Sequence, residues 1–144
     1  MKIKVLLVDD EKEFVETLAR RLETRNLAVV MAFDGDEAIA RVREEKVDVV
    51  ILDMVMPGRS GVEVLKEIKQ IDPLVEVILL TGHATVQSAI DSMTRGAFYY
   101  LMKPTEMKSL LEKIASAYQR KADHEHRIRQ AEIDRLLYTQ VEDR

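Results

Sequence analysis

Five short apolar runs recur along the first hundred residues, separated by segments in which apolar residues fall at helical spacing. The runs cover 3–8, 27–32, 47–52, 75–80 and 97–102. Each is almost continuously apolar rather than alternating, which is typical of strands buried on both faces of a parallel sheet. Between the runs, spacings such as Phe14, Leu18 and Leu22 predict amphipathic helices. The pattern therefore predicts an α/β fold, a doubly wound five-stranded parallel sheet with strand order 2-1-3-4-5.

The last forty residues have a different character and predict an extended C-terminal helix. The segment 105–144 contains no Gly or Pro, and its eight Lys or Arg residues balance eight Asp or Glu residues. Its first part carries apolar residues that suit packing on the sheet, whereas 119–127 is strongly polar. We therefore expect a globular domain at 1–118 and a helical extension at 119–144, acting as a linker or a dimerisation helix. The extension carries a loose apolar stripe formed by Ile128, Ile133, Leu136, Leu137 and Val141.

Composition excludes several classes of protein. The 144 residues include no cysteine, which excludes disulfides, thiolate metal sites and cysteine nucleophiles. The net charge of -4 argues against a nucleic-acid-binding surface spread over the whole chain. No apolar run approaches the roughly 18 residues of a membrane span, and the N-terminus reaches an acidic cluster too early for a signal peptide. We expect a cytoplasmic protein.

Polar side chains with complementary charges follow four of the predicted strands. Asp9 and Asp10 end the first run, Asp53 the third, Thr81 the fourth and Lys103 the fifth. Any one of them alone would be an ordinary turn or capping residue. Because the carboxyl ends of parallel strands share one edge, however, three carboxylates would meet in one pocket and repel each other. A divalent cation with oxygen ligands, most naturally Mg²⁺, would offset that repulsion, and Lys103 would add to it.

The same strand ends carry a family resemblance. The stretches VLLVDDE (5–11), VVILDMVMPGRSG (49–61), VILLTGHA (77–84) and GAFYYLMKP (96–104) resemble the receiver domains of bacterial two-component response regulators. The likeness covers residues 1 to about 118, in the family's order and spacing. The core, and the helix that extends beyond it, also resemble receivers that precede ATPase modules in enhancer-binding transcriptional activators. The resemblance implies a flavodoxin-like fold.

The resemblance also implies the roles of the acidic residues. Asp53 would be the phosphoacceptor, which takes a phosphoryl group from a histidine of a sensor kinase. Asp10, Asp53 and the backbone carbonyl of Val55 would bind Mg²⁺ directly, and Asp9 would act mainly through a coordinated water. Val55 also places an apolar side chain where many family members have a polar one, which suggests a long-lived phosphoryl group.

Further roles fall to residues on the fourth and fifth strands. Lys103 and Thr81 would each contact a phosphoryl oxygen. Tyr100 stands at the family's switch position and would move when Thr81 is recruited, although packing or an interface is an equally good reading of this aromatic residue. His83 would line the approach to the phosphoryl group, and the Lys103-Pro104 bond would be cis.

Two other classes of protein compete with a receiver. Phosphatases of the haloacid dehalogenase type also use a strand-end Asp and Mg²⁺, but they need a second Asp two residues later, where this chain has Val55. A transcription factor would need a basic recognition helix, which the neutral segment 105–144 does not supply. The resemblance therefore favours a phosphoacceptor switch over an enzyme, with a histidine kinase as partner, a homodimer through the last helix and no direct binding to nucleic acid.

Overall fold

The computed structural model describes residues 2–82 and 85–142, and over these residues strands and helices alternate. The strands are β1 (Lys4–Val8), β2 (Ala28–Ala32), β3 (Val49–Leu52), β4 (Glu76–Thr81) and β5 (Tyr99–Met102). The helices are α1 (Lys12–Glu23), α2 (Gly35–Glu44), α3 (Gly61–Ile71), α4 (Val86–Thr94) and α5 (Met107–Glu142). The strands are parallel and lie in the order β2-β1-β3-β4-β5. The predicted fold class and strand order are confirmed.

Both faces of the sheet are covered, which explains the continuous apolar runs. Successive residues of β1 point to opposite faces, so Leu6 packs with α2 and α3 while Leu7 packs with α1 and α5. The same division holds for β3, in which Val50 lies on the first face and Ile51 on the second. Each strand residue therefore removes apolar surface from water whichever way it points, at about 25 cal/mol per Å².

Side-chain caps begin three of the helices. Asp34 caps α2 by accepting a hydrogen bond from the Glu37 backbone N–H at 2.8 Å. Ser60 caps α3 in the same way. Thr85 and Ser88 form a reciprocal capping box at the start of α4. These caps determine where the loops at the carboxyl edge of the sheet end.

Helix α5 runs past the sheet, and the described side chains of its last part are exposed to solvent. Its 36 residues span about 54 Å at 1.5 Å per residue. It begins near the carboxyl edge of the sheet, and its apolar residues Leu110, Ile114 and Ala117 are buried against the second face. From residue 126 to residue 139 every side chain is exposed. The predicted extended C-terminal helix is confirmed.

Ion pairs anchor α5 at the amino edge of the sheet. The sequence alone indicated only that this part of α5 is polar. Lys121 is 2% exposed, and its ammonium group lies 3.1 Å from Asp48 Oδ1 and 3.3 Å from Glu125 Oε1. Arg120 Nε lies 3.0 Å from Oε2 of Glu76, a buried carboxylate at the start of β4. The contacts of α5 with the domain therefore extend to Glu125.

None of the described helices has the length and apolar character needed to span a membrane.

Candidate functional site

The strand-end residues predicted from sequence meet at the carboxyl edge of the sheet. A cleft of about 470 Å³ opens there, and its lining includes Asp10, Asp53, Val55 and Lys103. Asp9 and Thr81 lie beneath it, buried at the ends of β1 and β4. A second cleft of about 560 Å³ lies between α2 and α3, away from these carboxylates, and is lined mainly by charged surface side chains. The first cleft is therefore the one that combines a concave shape with converging functional groups.

Three carboxylates form an acidic cluster in this cleft. One oxygen from each of Asp9, Asp10 and Asp53 lies within 4.8 Å of the others. Asp9 and Asp53 are 3% and 5% exposed, whereas Asp10 is exposed to solvent. The parallel register explains the arrangement, because Val8 at the end of β1 pairs with Leu52 at the end of β3.

The environment of Asp53 disfavours its charged form. Burial, followed by the negative charge of Asp9, raises the pKa of the Asp53 carboxyl above its ordinary value of 3.8. A hydrogen bond from the Thr81 side chain, the charge of Lys103 and the Val55 backbone N–H act in the opposite direction and are outweighed. Asp53 Oδ1 is buried and has no hydrogen-bond partner among the described residues. An ionised Asp53 is therefore incompletely compensated by the protein alone.

Asp9 differs from Asp53 because both of its oxygens already have partners. Oδ1 accepts a hydrogen bond from the Glu11 backbone N–H at 3.0 Å, and Oδ2 lies 2.5 Å from Lys103 Nζ. Burial lowers the pKa of the Lys103 amine, but the hydrogen bond and charge of Asp9, with Asp53 and Glu11, outweigh burial and raise it overall. Lys103 is therefore a fixed positive charge in the cleft.

The residues of the acidic cluster fit a divalent cation. A hard cation takes oxygen ligands and needs negative charge that hydrogen bonds have not already neutralised. Asp53 Oδ1 lacks a partner, and the exposed Asp10 carboxylate lies beside it. Asp9, with both oxygens engaged, is better suited to orient a coordinated water.

Gly61 lets the loop after β3 fold back under the site. Its backbone N–H donates to the Met54 carbonyl at 2.8 Å. A Cβ at this position would lie 2.5 Å from both the Asp53 carbonyl oxygen and Met54 Cα, which is closer than atoms can approach. The residue at the start of α3 must therefore be glycine for the Asp53 backbone to keep this path.

Tyr100 lies on β5, which is separated by β4 from β3 and Asp53. It is partly buried against the core, and its hydroxyl lies 3.1 Å from Ser88 Oγ on α4. Thr81 is fully buried at the end of the neighbouring strand β4. The Lys103-Pro104 bond is cis, as predicted. His83 lies outside the described residues.

Phe14 belongs to the site although its sequence pattern assigned it only to the apolar face of α1. The Lys103 ammonium lies over its ring, 4.2 Å from the centroid. Glu11 is a second neighbour that the sequence did not indicate, with Oε1 3.5 Å from Lys103 Nζ. A signal was available in the chain order, because Glu11 directly follows the Asp9-Asp10 pair and Phe14 lies in the first turn of α1.

Comparison with known proteins gives one consistent result. The family model described as "Response regulator receiver domain" matches residues 5–115. The transcriptional regulatory protein ZraR of Salmonella typhimurium is 34% identical over 116 residues, which is 81% of this chain and 26% of that protein. The chain thus spans about a quarter of the length of this relative.

Solved structures of response regulator proteins match the fold of this chain over most of their own length. A response regulator receiver domain protein from Clostridium thermocellum is 39% identical, with a TM-score of 0.80 over 83% of this chain and 97% of that one. A response regulator protein from Burkholderia pseudomallei is 28% identical, with a TM-score of 0.76 over 96% of this chain and 86% of that one. That structure contains a phosphorylated aspartic acid, a calcium ion and citrate.

The family match covers the whole sheet and the acidic cluster, and it ends within α5, before the ion pairs at the amino edge. The fold, the strand-end carboxylates and the sequence comparison therefore agree, and the chain belongs to the response regulator receiver domain family of two-component systems.

Proposed function

We propose that the chain is a phosphorylation-dependent switch, in which Asp53 accepts a phosphoryl group from a phosphohistidine of a sensor histidine kinase. The observation that carries this proposal is the buried Asp53 Oδ1, which has no protein partner within the described structure and adjoins an open cleft. A buried carboxylate oxygen without a hydrogen bond is costly for stability and is retained where chemistry requires it.

The proposed transfer forms one bond and breaks one. A carboxylate oxygen of Asp53 attacks phosphorus, the P–N bond to the kinase histidine breaks, and its electron pair returns to the imidazole nitrogen. Catalysis consists mainly of positioning and charge neutralisation, because little covalent chemistry is left for the protein. Mg²⁺ bound by Asp10, Asp53 and the Val55 carbonyl would neutralise phosphoryl charge.

The remaining groups of the cleft act on the product. Lys103 would contact one phosphoryl oxygen, and its position among Asp9, Glu11 and Phe14 keeps it within the cleft. Thr81 would transfer its hydroxyl hydrogen bond from the Asp53 carboxylate to a second phosphoryl oxygen. The exposed side chain of Val55 offers no acid or base, so this position supplies no catalyst for a phosphatase-type hydrolysis.

The signal would leave the site through β4, β5 and α4. A shift of Thr81 toward the phosphoryl group would change the space beside β5, where Tyr100 bonds Ser88 of α4. The surface of α4 and β5 already exposes large apolar side chains, namely Ile90, Met93, Tyr99 and Met102. We propose that repacking of Tyr100 alters this surface, which is then read by a partner.

We also propose that the chain acts in the cytoplasm as a homodimer through the distal part of α5. This part, residues 126–142, begins where contacts with the domain end. Its exposed apolar residues are Ile128, Ile133, Leu136, Leu137 and Tyr138. An isolated helix of this length is marginal in water unless its apolar side is covered. The domain boundary at 118 and the absence of direct nucleic-acid binding remain predictions.

Mass spectrometry of the intact protein tests the phosphoacceptor assignment. The full chain, incubated with Mg²⁺ and acetyl phosphate, should gain one phosphoryl group. The variant Asp53→Asn should gain none, whereas Asp36→Asn, at an exposed aspartate that does not line the cleft, should be labelled like the parent. An adduct that persists in Asp53→Asn contradicts the assignment.

A further inference from the structure

Among the residues that the structure describes, three side chains contact the Lys103 ammonium, and they differ in how they respond when the site is occupied. Asp9 Oδ2 lies 2.5 Å from its Nζ, Glu11 Oε1 lies at 3.5 Å, and the ring centroid of Phe14 lies at 4.2 Å. The side chain of Lys103 is only 16% exposed, so these contacts determine where its charge sits.

The two acidic neighbours, Asp9 and Glu11, do not fix the position of the Lys103 ammonium group once the cleft is occupied. Asp9 belongs to the acidic cluster, so a bound cation competes with Lys103 for its charge. Glu11 is 66% exposed, and attraction between exposed charges is reduced by water and salt. Neither carboxylate therefore gives Lys103 a position that is independent of what occupies the cleft.

Phe14 is a neighbour of another kind. The negative face of an aromatic ring attracts an ammonium group within about 6 Å, and this attraction neither titrates nor competes for a metal. The ring itself is held in place, because Phe14 packs against the core cluster that contains Leu18 and Leu80. It also borders a small cavity of about 160 Å³ beside Lys103 and Pro104.

We propose that Phe14 is a positioning residue for phosphoryl transfer, which holds the Lys103 ammonium at the cleft through its ring face. The inference rests on the proposed function, in which Lys103 contacts a phosphoryl oxygen. Phe14 is not among the residues that line the cleft, so its effect on phosphoryl transfer would pass through Lys103. Removal of the ring should leave Lys103 charged but less well placed.

Nuclear magnetic resonance tests the contact without any phosphorylation. In the unphosphorylated full chain with ¹³C-labelled lysine, the ε-methylene protons of Lys103 should be shielded by the ring. Their signal is assigned by its loss in Lys103→Arg. Phe14→Leu should remove the shielding and Phe14→Tyr should keep it. Phe98→Leu is the matched control, since Phe98 packs against the same cluster but immediately precedes β5, and its ring faces Arg120 rather than Lys103.

Phosphorylation kinetics test the consequence. With saturating Mg²⁺ and acetyl phosphate, a donor that needs no kinase docking, Phe14→Leu should be phosphorylated about three- to tenfold more slowly. Phe14→Tyr and Phe98→Leu should stay within about twofold of the parent. Equal slowing in Phe14→Leu and Phe98→Leu would reduce the effect to general packing and overturn the proposal, as would an unchanged rate in Phe14→Leu.

Fluorinated phenylalanines at position 14 provide a second test if Phe14→Leu folds poorly. One to three ring fluorines weaken the negative face stepwise while nearly preserving shape. The phosphorylation rate and the shielding of Lys103 should both fall with each fluorine, because both depend on the attraction between the ammonium group and the ring face. A rate independent of fluorination overturns the proposal. Labelling that persists in Asp53→Asn would instead reject the proposed function, and the resonance experiment would still decide whether Phe14 holds Lys103.

Discussion

Asp53 shows how a buried carboxylate can lower the stability of the folded protein. Because burial and Asp9 raise its pKa above 3.8, its ionisation in the folded protein is unfavourable relative to the unfolded chain. The cost is absent below the unfolded pKa, grows as pH rises toward the folded pKa, and is fully present above it. The metal-free protein therefore carries this cost at neutral pH.

Replacement by asparagine should remove that cost. We expect metal-free Asp53→Asn to be more stable than the parent by on the order of 1 kcal/mol at pH 7, a rise of a few degrees in Tm. The difference should shrink as pH is lowered toward the ordinary pKa of 3.8, because the parent carboxyl becomes protonated as pH falls through its raised folded-state pKa. Thermal melts between pH 4.5 and 7.5 measure it. A difference that stays constant over this range would assign the effect to the hydrogen bonds of asparagine rather than to the charge.

Asp10 provides a prediction about the metal. A ligand that binds only the folded state at a hundred times its Kd adds about 2.7 kcal/mol of stability. Asp10→Asn should lose most of the stabilisation by Mg²⁺, because it removes an exposed carboxylate of the acidic cluster. Asp134→Asn, on the exposed part of α5, should retain it. Thermal melts of both variants with and without Mg²⁺ measure this stabilisation. Full stabilisation of Asp10→Asn by Mg²⁺ would exclude this residue as a ligand.

At the scale of elements, the sequence was sufficient where the determinants are local. The strands and the cap of α2 at Asp34 follow from short patterns, and the strand-end carboxylates follow from the parallel topology. Contacts between distant segments were not predictable in this way. Lys121 lies in a stretch as polar as any linker, and its burial depends on Asp48, which is 73 residues away in the chain. Phe14 likewise gains its contact with Lys103 only when the fold brings the end of β5 across its ring.

The burial of Lys121 makes a prediction for α5. Lys121→Met removes the cation between Asp48 and Glu125 and should destabilise the protein by about 1–3 kcal/mol in urea unfolding. Lys108→Met, at an exposed position of the same helix, should change stability by less than about 0.5 kcal/mol.

The same ion pairs also give a pH dependence. Burial lowers the pKa of Lys121, but its hydrogen bonds and ion pairs with Asp48 and Glu125 outweigh burial and raise it above 10.5 overall. The stability they contribute is therefore complete below pH 10.5 and is lost as pH rises through the folded pKa. The gap between the parent and Lys121→Met should narrow above about pH 10.5, and a gap that widened there would contradict this assignment.

At the scale of the whole molecule, the cleft and the anchored part of α5 lie at opposite edges of the sheet. Lys103 closes the carboxyl edge, and Arg120 and Lys121 bind Glu76 and Asp48 at the amino edge. Helix α5 begins a few residues after Lys103 and connects the two edges as one continuous element. A change in how α5 packs near the cleft would therefore be carried by a rigid helix to residues 126–142.

Those distal residues determine the last prediction, that the full chain self-associates through α5. Leu136 and Leu137 are 62% and 56% exposed, which is unfavourable for leucine side chains unless another surface covers them. The side chain of Val141, the last residue of the predicted stripe, lies outside the described part of the structure.

The double variant L136Q/L137Q should sediment as a monomer at tens of micromolar, whereas the parent should sediment as a dimer. Arg129→Gln, another exposed change on the same helix, should leave the dimer intact. A chain ending at Arg127 keeps the ion pairs to Asp48 and Glu76 and should also be monomeric, which separates loss of the stripe from loss of the anchor. If the parent itself is monomeric at these concentrations, with and without phosphorylation, the distal helix is not a dimerisation element.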